Sequence, residues 1–328
     1  MTRRVCLGRL AAFALCFAVL ALAGSAEAQP ARSPYRVVIL SNESSPALDG
    51  LRQGLRDLGY VEGRDITLEY VWAGTRSDRF PALAAEIVRK KADFIFTWGT
   101  PATLAAKKAT TTIPIVMGAV GDPLSVGIVT SLGHPGGNIT GLSSMALDLE
   151  EKRLELLKQL APQLKRVAVL WQSGNPALQV SSRMASAAAQ KLDLKLVFVS
   201  LTEAPTLEGA LDLLGRQKPD GLAVMAEPAL LSQVGKITAF AKQRRLPAVY
   251  PYPEYARAGG VLTYATSYYD LFRRAATYID RIIKGAKPGD LPIEQPTKFE
   301  LIINLGTARA LGLTVPPSLL VRADSVIE

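Results

Sequence analysis

The sequence predicts an α/β protein with two Rossmann-like lobes, each built on a parallel sheet. The first observation is that short runs rich in β-branched residues alternate with amphipathic helical windows along most of the chain. The second is that this alternation occurs twice, in two successive halves. Strands that alternate with helices are typical of βαβ units, in which helices cover both faces of a parallel sheet. Two such sheets in tandem give two lobes.

Residues 1–28 are predicted to form a cleaved signal peptide. Arg3, Arg4 and Arg9 provide a basic segment, residues 10–22 are all apolar, and Ala26-Glu27-Ala28 is a small-residue cleavage site. The apolar run is shorter than the roughly 20 residues that span a bilayer. We therefore expect export and cleavage after Ala28, and the remaining chain is long enough for about two domains.

Both cysteines, Cys6 and Cys16, lie inside this predicted signal peptide. The mature chain is therefore expected to have no disulfide, no thiol nucleophile and no cysteine-ligated metal. Leu15, rather than a small residue, precedes Cys16, which argues against a lipid anchor. The chain has a formal net charge of +9, but its basic residues are scattered without a long block. We interpret them as solvated surface and expect no nucleic-acid binding.

In the first half, the hydrophobic pattern predicts five strands and three helices. The strands are expected at residues 36–40, 66–72, 94–98, 113–117 and 139–143. The helices are expected at residues 47–58, 79–90 and 101–109. In the first helix, leucines recur on one face at positions 48, 51, 55 and 58, as in a helix that packs on a sheet.

The second half repeats this scheme. Strands are expected at residues 167–171, 196–200, 221–226, 248–251 and 261–265, with helices near residues 176–191, 206–215, 229–244 and 253–258. A helix at 269–284, a linker at 285–296, a strand at 300–305 and a short helix to residue 311 complete the chain. At the joint between the halves, Asp148 followed by Glu151 has the pattern of a helix N-cap with its capping-box partner.

The sequence lacks the residue patterns of common catalytic sites. The single histidine, His134, lies in a loop rich in glycine, and no G-x-S-x-G nucleophile motif accompanies it. Residues 141–145 (GLSSM) come closest and lack the final glycine. There is no P-loop, no G-x-G-x-x-G after a strand and no EF-hand spacing. We therefore expect no enzymatic activity, no cofactor and no metal site.

Polar or turn-forming residues follow most of the predicted strands. In doubly wound sheets, ligands bind beyond the carboxyl ends of the strands. The candidates of this kind are Ser41, Asn42, Gly99, Thr100, Asp122, Gln172, Asn175, Glu227 and Glu254. Thr100-Pro101 begins a helix, whose free N–H groups and positive dipole end suit a carboxylate. The same residue types cap helices in any protein, so capping without ligand contact is the alternative for each.

Tyrosines cluster in the second half of the chain. Six of the ten tyrosines fall between residues 250 and 269, namely Tyr250, Tyr252, Tyr255, Tyr264, Tyr268 and Tyr269. Their flat apolar faces and polar tips suit a small aromatic or amphipathic ligand, and Tyr250 and Tyr264 are candidate ligand-binding residues. Trp98 and Trp171, which each end a predicted strand, are further candidates. The alternative is that these rings pack between sheet and helices as ordinary core.

A combination of short runs extends over nearly all of the mature chain. The runs are residues 55–66 (LRDLGYVEGRDI), 81–86 (PALAAE), 113–116 (IPIV), 121–123 (GDP), 135–141 (PGGNITG) and 311–320 (LGLTVPPSLL). Together they resemble the ABC transporter substrate-binding protein family of the tryptophan/tyrosine type. The resemblance implies a type I periplasmic binding-protein fold, with three crossings between the lobes and a ligand held in the cleft.

The resemblance also implies a division of the chain and a role. Residues 34–145 plus 264–290 would form one lobe, and residues 146–263 plus 291–328 the other. The implied role is that of a monomeric periplasmic protein that binds a small ligand, such as an amino acid or an aromatic compound. Its implied partners are the membrane-embedded permease subunits of an ABC importer. Where relatives often have an aspartate, this chain has Glu227, the candidate anchor for a ligand amino group.

An amino-acid ligand would place opposite charges on different candidates. We expect its carboxylate at Ser41 or Asn42 and at the backbone of residues 99–100. The candidates for its ammonium group are Asp122, Glu227 and Glu254. Two other functions stay open. The same fold can serve as a ligand-sensing subunit for a membrane receptor or histidine kinase, because docking surfaces leave no motif. A secreted α/β enzyme is the other, and the missing histidine-based site argues against it.

Overall fold

A computed structural model gives the fold of residues 33–204 and 206–328, apart from the side chains of residues 146–148. The predicted signal peptide lies outside the described residues. Within the described ranges, no helix combines the length and the apolar character needed to cross a membrane.

Strands and helices alternate along this part of the chain. The strands are β1 (Tyr35–Ser41), β2 (Ile66–Trp72), β3 (Phe94–Trp98), β4 (Ile115–Val120), β5 (Ile139–Ser143), β6 (Arg166–Trp171), β7 (Lys195–Ser200), β8 (Gly221–Val224), β9 (Ala248–Tyr250), β10 (Leu262–Thr266), β11 (Phe299–Asn304) and β12 (Ser325–Ile327). The helices are α1 (Asp49–Asp57), α2 (Phe80–Arg89), α3 (Thr100–Ala109), α4 (Ala146–Leu160), α5 (Pro176–Lys191), α6 (Leu207–Arg216), α7 (Val234–Gln243), α8 (Pro253–Arg257), α9 (Tyr268–Ile283), α10 (Leu305–Ala310) and α11 (Pro317–Leu320).

The first sheet contains five parallel strands in the order β2-β1-β3-β4-β5. Strands β2, β3 and β5 have the bounds that the sequence predicts. Strand β4 begins two residues later than expected, directly after Pro114, which has no N–H to give to a ladder. The hydrophobic pattern is therefore a good guide to this sheet.

Alternate side chains of β1 face two different layers of helices. Val37 and Ile39 pack in one cluster with residues of α1 and α9, whereas Val38 and Leu40 pack in another with residues of α2 and α3. All four side chains are buried. Burial on both faces explains why this strand is a continuous apolar run in the sequence.

The second sheet has seven strands in the order β12-β11-β10-β9-β8-β6-β7. Its neighbouring strands are parallel except for β10 and β11, which are antiparallel. Leu157 of α4 and Ala185 of α5 pack in one cluster with this sheet. Leu214 of α6 and Ile237 of α7 pack in another, together with alternate residues of β6 and β8. The sheet thus forms the core of a second lobe.

The chain passes between the two lobes three times. The first crossing joins β5 to α4, and the second joins β10 to α9, which returns to pack on α1. The third lies after Glu294, whose backbone still pairs with Gly141 and Ser143 of the first lobe, and before β11. The last two crossings therefore lie a few residues beyond positions 264 and 290, where the resemblance divides the chain.

The first crossing ends in a left-handed residue. Met145 has φ 48° and is followed at once by α4, which begins at Ala146. Its N–H donates to Ser143 Oγ at 3.2 Å, which holds the turn on the end of β5. The expectation that Asp148 caps this helix is wrong, because the chain becomes helical two residues earlier, as soon as it leaves the first lobe.

Two glycines allow α9 to lie directly against α1. A Cβ atom at Gly54 would lie 2.2 Å from the carbonyl oxygen of Arg273 and 2.7 Å from Ala276 Cβ. A Cβ atom at Gly50 would lie 2.2 Å from the carbonyl oxygen of Tyr269. These distances are far below van der Waals contact, so the backbone approach of the two helices requires glycine at both positions.

We expect Gly54→Ala to lower the free energy of unfolding by about 1–3 kcal/mol, because the two helices must move apart to admit the methyl group. Denaturant unfolding of the purified protein measures this loss. Gly235→Ala is the matched control, since a Cβ there meets nothing within 4 Å. It should raise stability by about 0.5–1 kcal/mol, the usual effect in a helix. Equal stability of the two variants would contradict the close approach.

Candidate ligand-binding site

Three aromatic residues meet between the lobes, and we call them the aromatic wall: Trp98, Tyr252 and Tyr268. Trp98 ends β3, Tyr252 follows β9, and Tyr268 begins α9. The Trp98 ring centre lies 6.1 Å from that of Tyr252, nearly perpendicular to it, and 5.7 Å from that of Tyr268. The two tyrosine rings are 5.2 Å apart. All three side chains are buried, and such ring pairs add about 0.5–1.5 kcal/mol each beyond the area they bury.

Two cavities adjoin the aromatic wall, and all three rings line both. The inner cavity has a volume of about 30 Å³, which is close to the share of one water molecule. The outer cavity has a volume of about 310 Å³, at the lower end of the range for small-molecule sites. Residues of both lobes line each cavity, so both depend on how the lobes are arranged.

Two helix N-termini, one from each lobe, border the inner cavity. Gly99 and Thr100 form the start of α3, and Asn175 caps α5 by accepting from the N–H of Ala177 at 3.1 Å. Gly99 has φ 96°, a left-handed conformation that favours glycine, and this turn directs the chain from β3 into α3. Free N–H groups and the positive ends of two helix dipoles make this cavity suitable for a carboxylate.

Glu227 lies beside the inner cavity, between two of its lining residues, Ala226 and Pro228. Its side chain is fully buried, and it accepts hydrogen bonds from Asn175 Nδ2 at 2.9 Å and from the N–H of Ala229 at 3.3 Å. No lysine or arginine in the described ranges forms an ion pair with it. Burial raises the pKa of Glu227, only partly opposed by these hydrogen bonds. A cation beside this carboxylate would compensate its charge.

A buried ion pair lies behind the aromatic wall. Arg153 Nη1 donates to Glu150 at 2.7 Å, and Arg153 Nε donates to the carbonyl oxygen of Tyr264 at 2.8 Å. Both charged side chains are at most 4% exposed, and Arg153 Nη2 has no hydrogen-bond partner among the described residues. Burial raises the pKa of Tyr268 to about 12, and the positive charge of Arg153 opposes the rise. The guanidinium is therefore close enough to act on the wall.

A hydrogen bond joins the two lobes at the outer cavity. Ser45, in the loop after β1, donates its Oγ hydrogen to Glu254 Oε1 on α8 at 2.7 Å. The same Oγ accepts from the N–H of Ala47 at 3.1 Å, which orients the hydroxyl toward Glu254. With the ring contact between Trp98 and Tyr252, this bond holds the cleft closed.

Five of the residues proposed from the sequence lie at or beside these cavities. Gly99, Thr100 and Asn175 line the inner cavity, and Glu227 is bonded to Asn175. Glu254 lines the outer cavity. The strand-end rule accounts for all five, because each lies just beyond the carboxyl end of a strand.

The other six proposed residues lie outside both cavities: Ser41, Asn42, Asp122, Gln172, Tyr250 and Tyr264. Asn42 donates to the carbonyl oxygen of Gly74 at 2.8 Å and so holds the loop after β2. Asp122 accepts from the N–H of Leu124 at 3.0 Å and caps the following turn. Both side chains thus bond to backbone groups, and Asp122 does so in a local cap, the alternative that the sequence left open.

The remaining members of this group have other surroundings. Ser41 is fully buried, and within the part of the chain that the structure describes its Oγ has no hydrogen-bond partner. The same holds for the side-chain oxygen of Gln172 within that part of the chain. Tyr250 stacks on Tyr255 with ring centres 4.7 Å apart, inside the core of the second lobe. Tyr264 stacks on Phe299 across the antiparallel pair of strands. Both rings therefore have the packing role that the sequence left as the alternative.

Several lining residues are absent from the sequence-based candidates. Tyr252 and Tyr268 belong to the tyrosine cluster, but sequence does not distinguish them from its core members. Ser181 lines the inner cavity from within α5, and its buried Oγ has no hydrogen-bond partner in the described ranges. A serine inside an amphipathic helix carries no signal of this kind. Glu300, at the outer cavity, comes from the antiparallel strand, whose pairing the sequence does not reveal.

The sequence matches the model of a known protein family. The model of the family described as "ABC transporter substrate binding protein" matches residues 37–327. The chain belongs to this family. A similar protein is the tyrosine-binding protein of Clostridioides difficile (strain R20291). Its sequence is 30% identical to this one over 276 residues, which cover 82% of this chain and 78% of that protein. This substrate-binding protein is accordingly a ligand-binding protein and not an enzyme.

Solved structures support the fold of the substrate-binding protein. A conserved domain protein from Vibrio cholerae is 28% identical with a TM-score of 0.81, covering 89% of this chain and 99% of that one. An ABC domain in complex with L-Trp from Streptococcus pneumoniae is 24% identical with a TM-score of 0.81, covering 90% and 100%. The type I periplasmic binding-protein fold that the family resemblance implies is confirmed.

A third structure differs more in overall arrangement. It is the ligand-free, open structure of a substrate-binding protein with adhesive properties from Clostridium difficile, 26% identical with a TM-score of 0.62, covering 90% of this chain and 99% of that one. The lower score agrees with the contacts that join the lobes here, between Trp98 and Tyr252 and between Ser45 and Glu254.

We expect Arg153→Met to lower the free energy of unfolding by about 3–5 kcal/mol, because Glu150 would stay buried without its cation. The double variant Glu150→Met, Arg153→Met should recover most of this loss, since it removes both charges. Urea unfolding measures all variants. Lys152→Met is the control on the same helix, because its pair with Glu155 is partly exposed and should contribute less than about 1 kcal/mol. A double variant no more stable than the single one would contradict the coupling.

Proposed function

We infer that this protein is the exported ligand-receiving component of an ABC importer and that its ligand is an aromatic amino acid. The observation that carries the proposal is the aromatic wall, to which both lobes contribute beside two helix N-termini and a buried carboxylate. The relatives agree with this chemistry, since one is named for tyrosine binding and another structure contains L-Trp. Export is supported by the predicted signal peptide, which suits a periplasmic location.

The carboxylate and the ammonium group of the ligand bind at different residues in the proposed mode. The carboxylate lies at the N-termini of α3 and α5, where N–H groups and helix dipoles favour negative charge. The ammonium group lies at Glu227, whose buried carboxylate forms no ion pair within the described chain. The aromatic side chain lies along the wall. Each charged group of a zwitterion therefore meets an opposite charge or dipole locally, and the ligand adds no net charge to the site.

Binding in this mode is coupled to movement of the lobes. The inner cavity, at about 30 Å³, is too small for the head group of an amino acid unless the lobes separate slightly. A ligand that contacts both lobes favours the closed form by the difference between its affinities for the closed and open forms. In an importer, the closed form with ligand is the one that docks on the permease subunits in the membrane.

We expect the purified protein to bind aromatic amino acids, and mass spectrometry of ligand released by denaturation identifies the natural one. Because Trp98 borders the site, binding should change tryptophan fluorescence. The chain has three tryptophans, so Trp98→Phe should remove most of this change, while Trp72→Phe, on the outer strand β2, should keep it. Calorimetry that finds no affinity for any aromatic amino acid would contradict the proposed ligand.

We expect the affinity for an amino-acid ligand to fall as the pH is lowered. Burial raises the pKa of Glu227, so its carboxylate becomes protonated at a higher pH than an exposed one and loses its attraction for an ammonium group. Glu227→Gln should weaken binding by about ten- to a hundredfold at neutral pH and flatten this dependence. Glu203→Gln, at an exposed residue outside both cavities, is the control. Unchanged affinity in Glu227→Gln would exclude the ammonium contact.

A further inference from the structure

The outer cavity has two different sides. The rings of the aromatic wall form one side, and Ser45, Glu254 and Glu300 lie among the residues that line the rest. Its volume of about 310 Å³ admits an aromatic side chain. A site with apolar contacts alone would suit any aromatic ring equally, so the polar residues here provide a basis for discrimination among aromatic side chains.

Glu254 is the polar residue with the best-defined geometry. It is half-buried in the first turn of α8, and its Oε1 accepts the hydrogen of Ser45 Oγ at 2.7 Å. Ser45 Oγ is itself fixed by the N–H of Ala47. A carboxylate has about four acceptor positions, and within the described ranges Ser45 is the one donor to the carboxylate of Glu254. Acceptor positions thus remain for a ligand.

The aromatic wall connects this carboxylate to the site of the ligand's head group. Trp98, Tyr252 and Tyr268 line both cavities, so a molecule that spans the two lies along these rings. With its charged groups at Glu227 and the N-termini of α3 and α5, an aromatic amino acid extends its side chain into the outer cavity. In this arrangement, the far end of that side chain would occupy the cavity that Glu254 lines.

We propose that Glu254 selects among aromatic amino acids by accepting a hydrogen bond from the polar tip of the side chain. The phenol O–H of tyrosine and the indole N–H of tryptophan are donors, whereas phenylalanine offers none. A hydrogen bond to an ionised carboxylate is roughly twice as strong as one between neutral groups. Ser45 acts as a positioning residue, because its hydroxyl holds the carboxylate toward the cavity. The proposal rests on the function proposed above.

Calorimetry with matched ligands tests the proposal on the unaltered protein. L-Tyrosine is compared with O-methyl-L-tyrosine and L-phenylalanine, and L-tryptophan with 1-methyl-L-tryptophan. Each methylated ligand keeps its ring and loses its donor. We expect the ligands with a donor to bind about tenfold more tightly than those without, the usual effect of a hydrogen bond to a charged group at a half-exposed site.

Variants then assign this preference to one carboxylate. Glu254→Met keeps the length of the side chain without its acceptor, and should reduce the tenfold preference for L-tyrosine over L-phenylalanine to about one. Glu254→Gln, which keeps an acceptor without charge, should retain part of it. Glu300→Gln, at the other carboxylate of the cavity, should retain all of it. General damage to the cleft would weaken all ligands alike and leave the preference unchanged.

The outcomes separate this inference from the proposed function. Equal affinity for L-tyrosine and L-phenylalanine in the unaltered protein overturns the role of Glu254 while the proposed ligand class stands. A preference that survives Glu254→Met, or disappears in Glu300→Gln, also overturns it. Failure of all five ligands to bind overturns the ligand class and the inference together. A preference lost only with the carboxylate of Glu254 supports both.

Discussion

The contact of the aromatic wall is the interaction on which the rest of the closed structure depends. Trp98 packs against Phe272 of α9, with ring centres 5.3 Å apart, and Phe272 packs against Phe96 in the first sheet. Tyr252 brings the second lobe to the same cluster. The hydrophobic core of one lobe therefore continues through the cleft into the other. Because tyrosine and tryptophan have polar tips, such a contact can also open to water without the full cost of exposing aliphatic core.

Two buried glutamates near the aromatic wall differ in how their charges are compensated. Arg153 compensates Glu150, and both side chains are buried, where a charge without a partner is costly. Glu227 is equally buried, but its donors among the described residues are the neutral Asn175 and Ala229. Of the two glutamates, then, one is neutralised inside the fold and the other depends on a proton or on a cation from outside. This asymmetry distinguishes a structural charge from one that can respond to a ligand.

Much of the fold could be predicted from the sequence, because its signals are local. Strand β3 and helix α5 have the predicted bounds, since a buried strand is a short apolar run and proline at the first helical position marks a helix start. The antiparallel pairing of β10 with β11 could not be predicted, because it joins residues far apart in sequence. Strand β12, at the edge of the second sheet, has no such signal of its own.

The candidate site could be predicted only in part, because sequence signals are local and contacts between distant residues leave none. The strand-end rule finds Asn175 and Glu227 separately, but not the hydrogen bond that joins them across 52 residues. It also selects Asn42 and Asp122, whose side chains instead bond to nearby backbone. Only contacts that form as the cleft closes can make a ligand favour closure, since contacts within a lobe exist in both forms and cancel. Ser45 and Glu254, 209 residues apart in the chain, instead stabilise the closed form whether or not ligand is bound, and no local pattern in the sequence can reveal their contact.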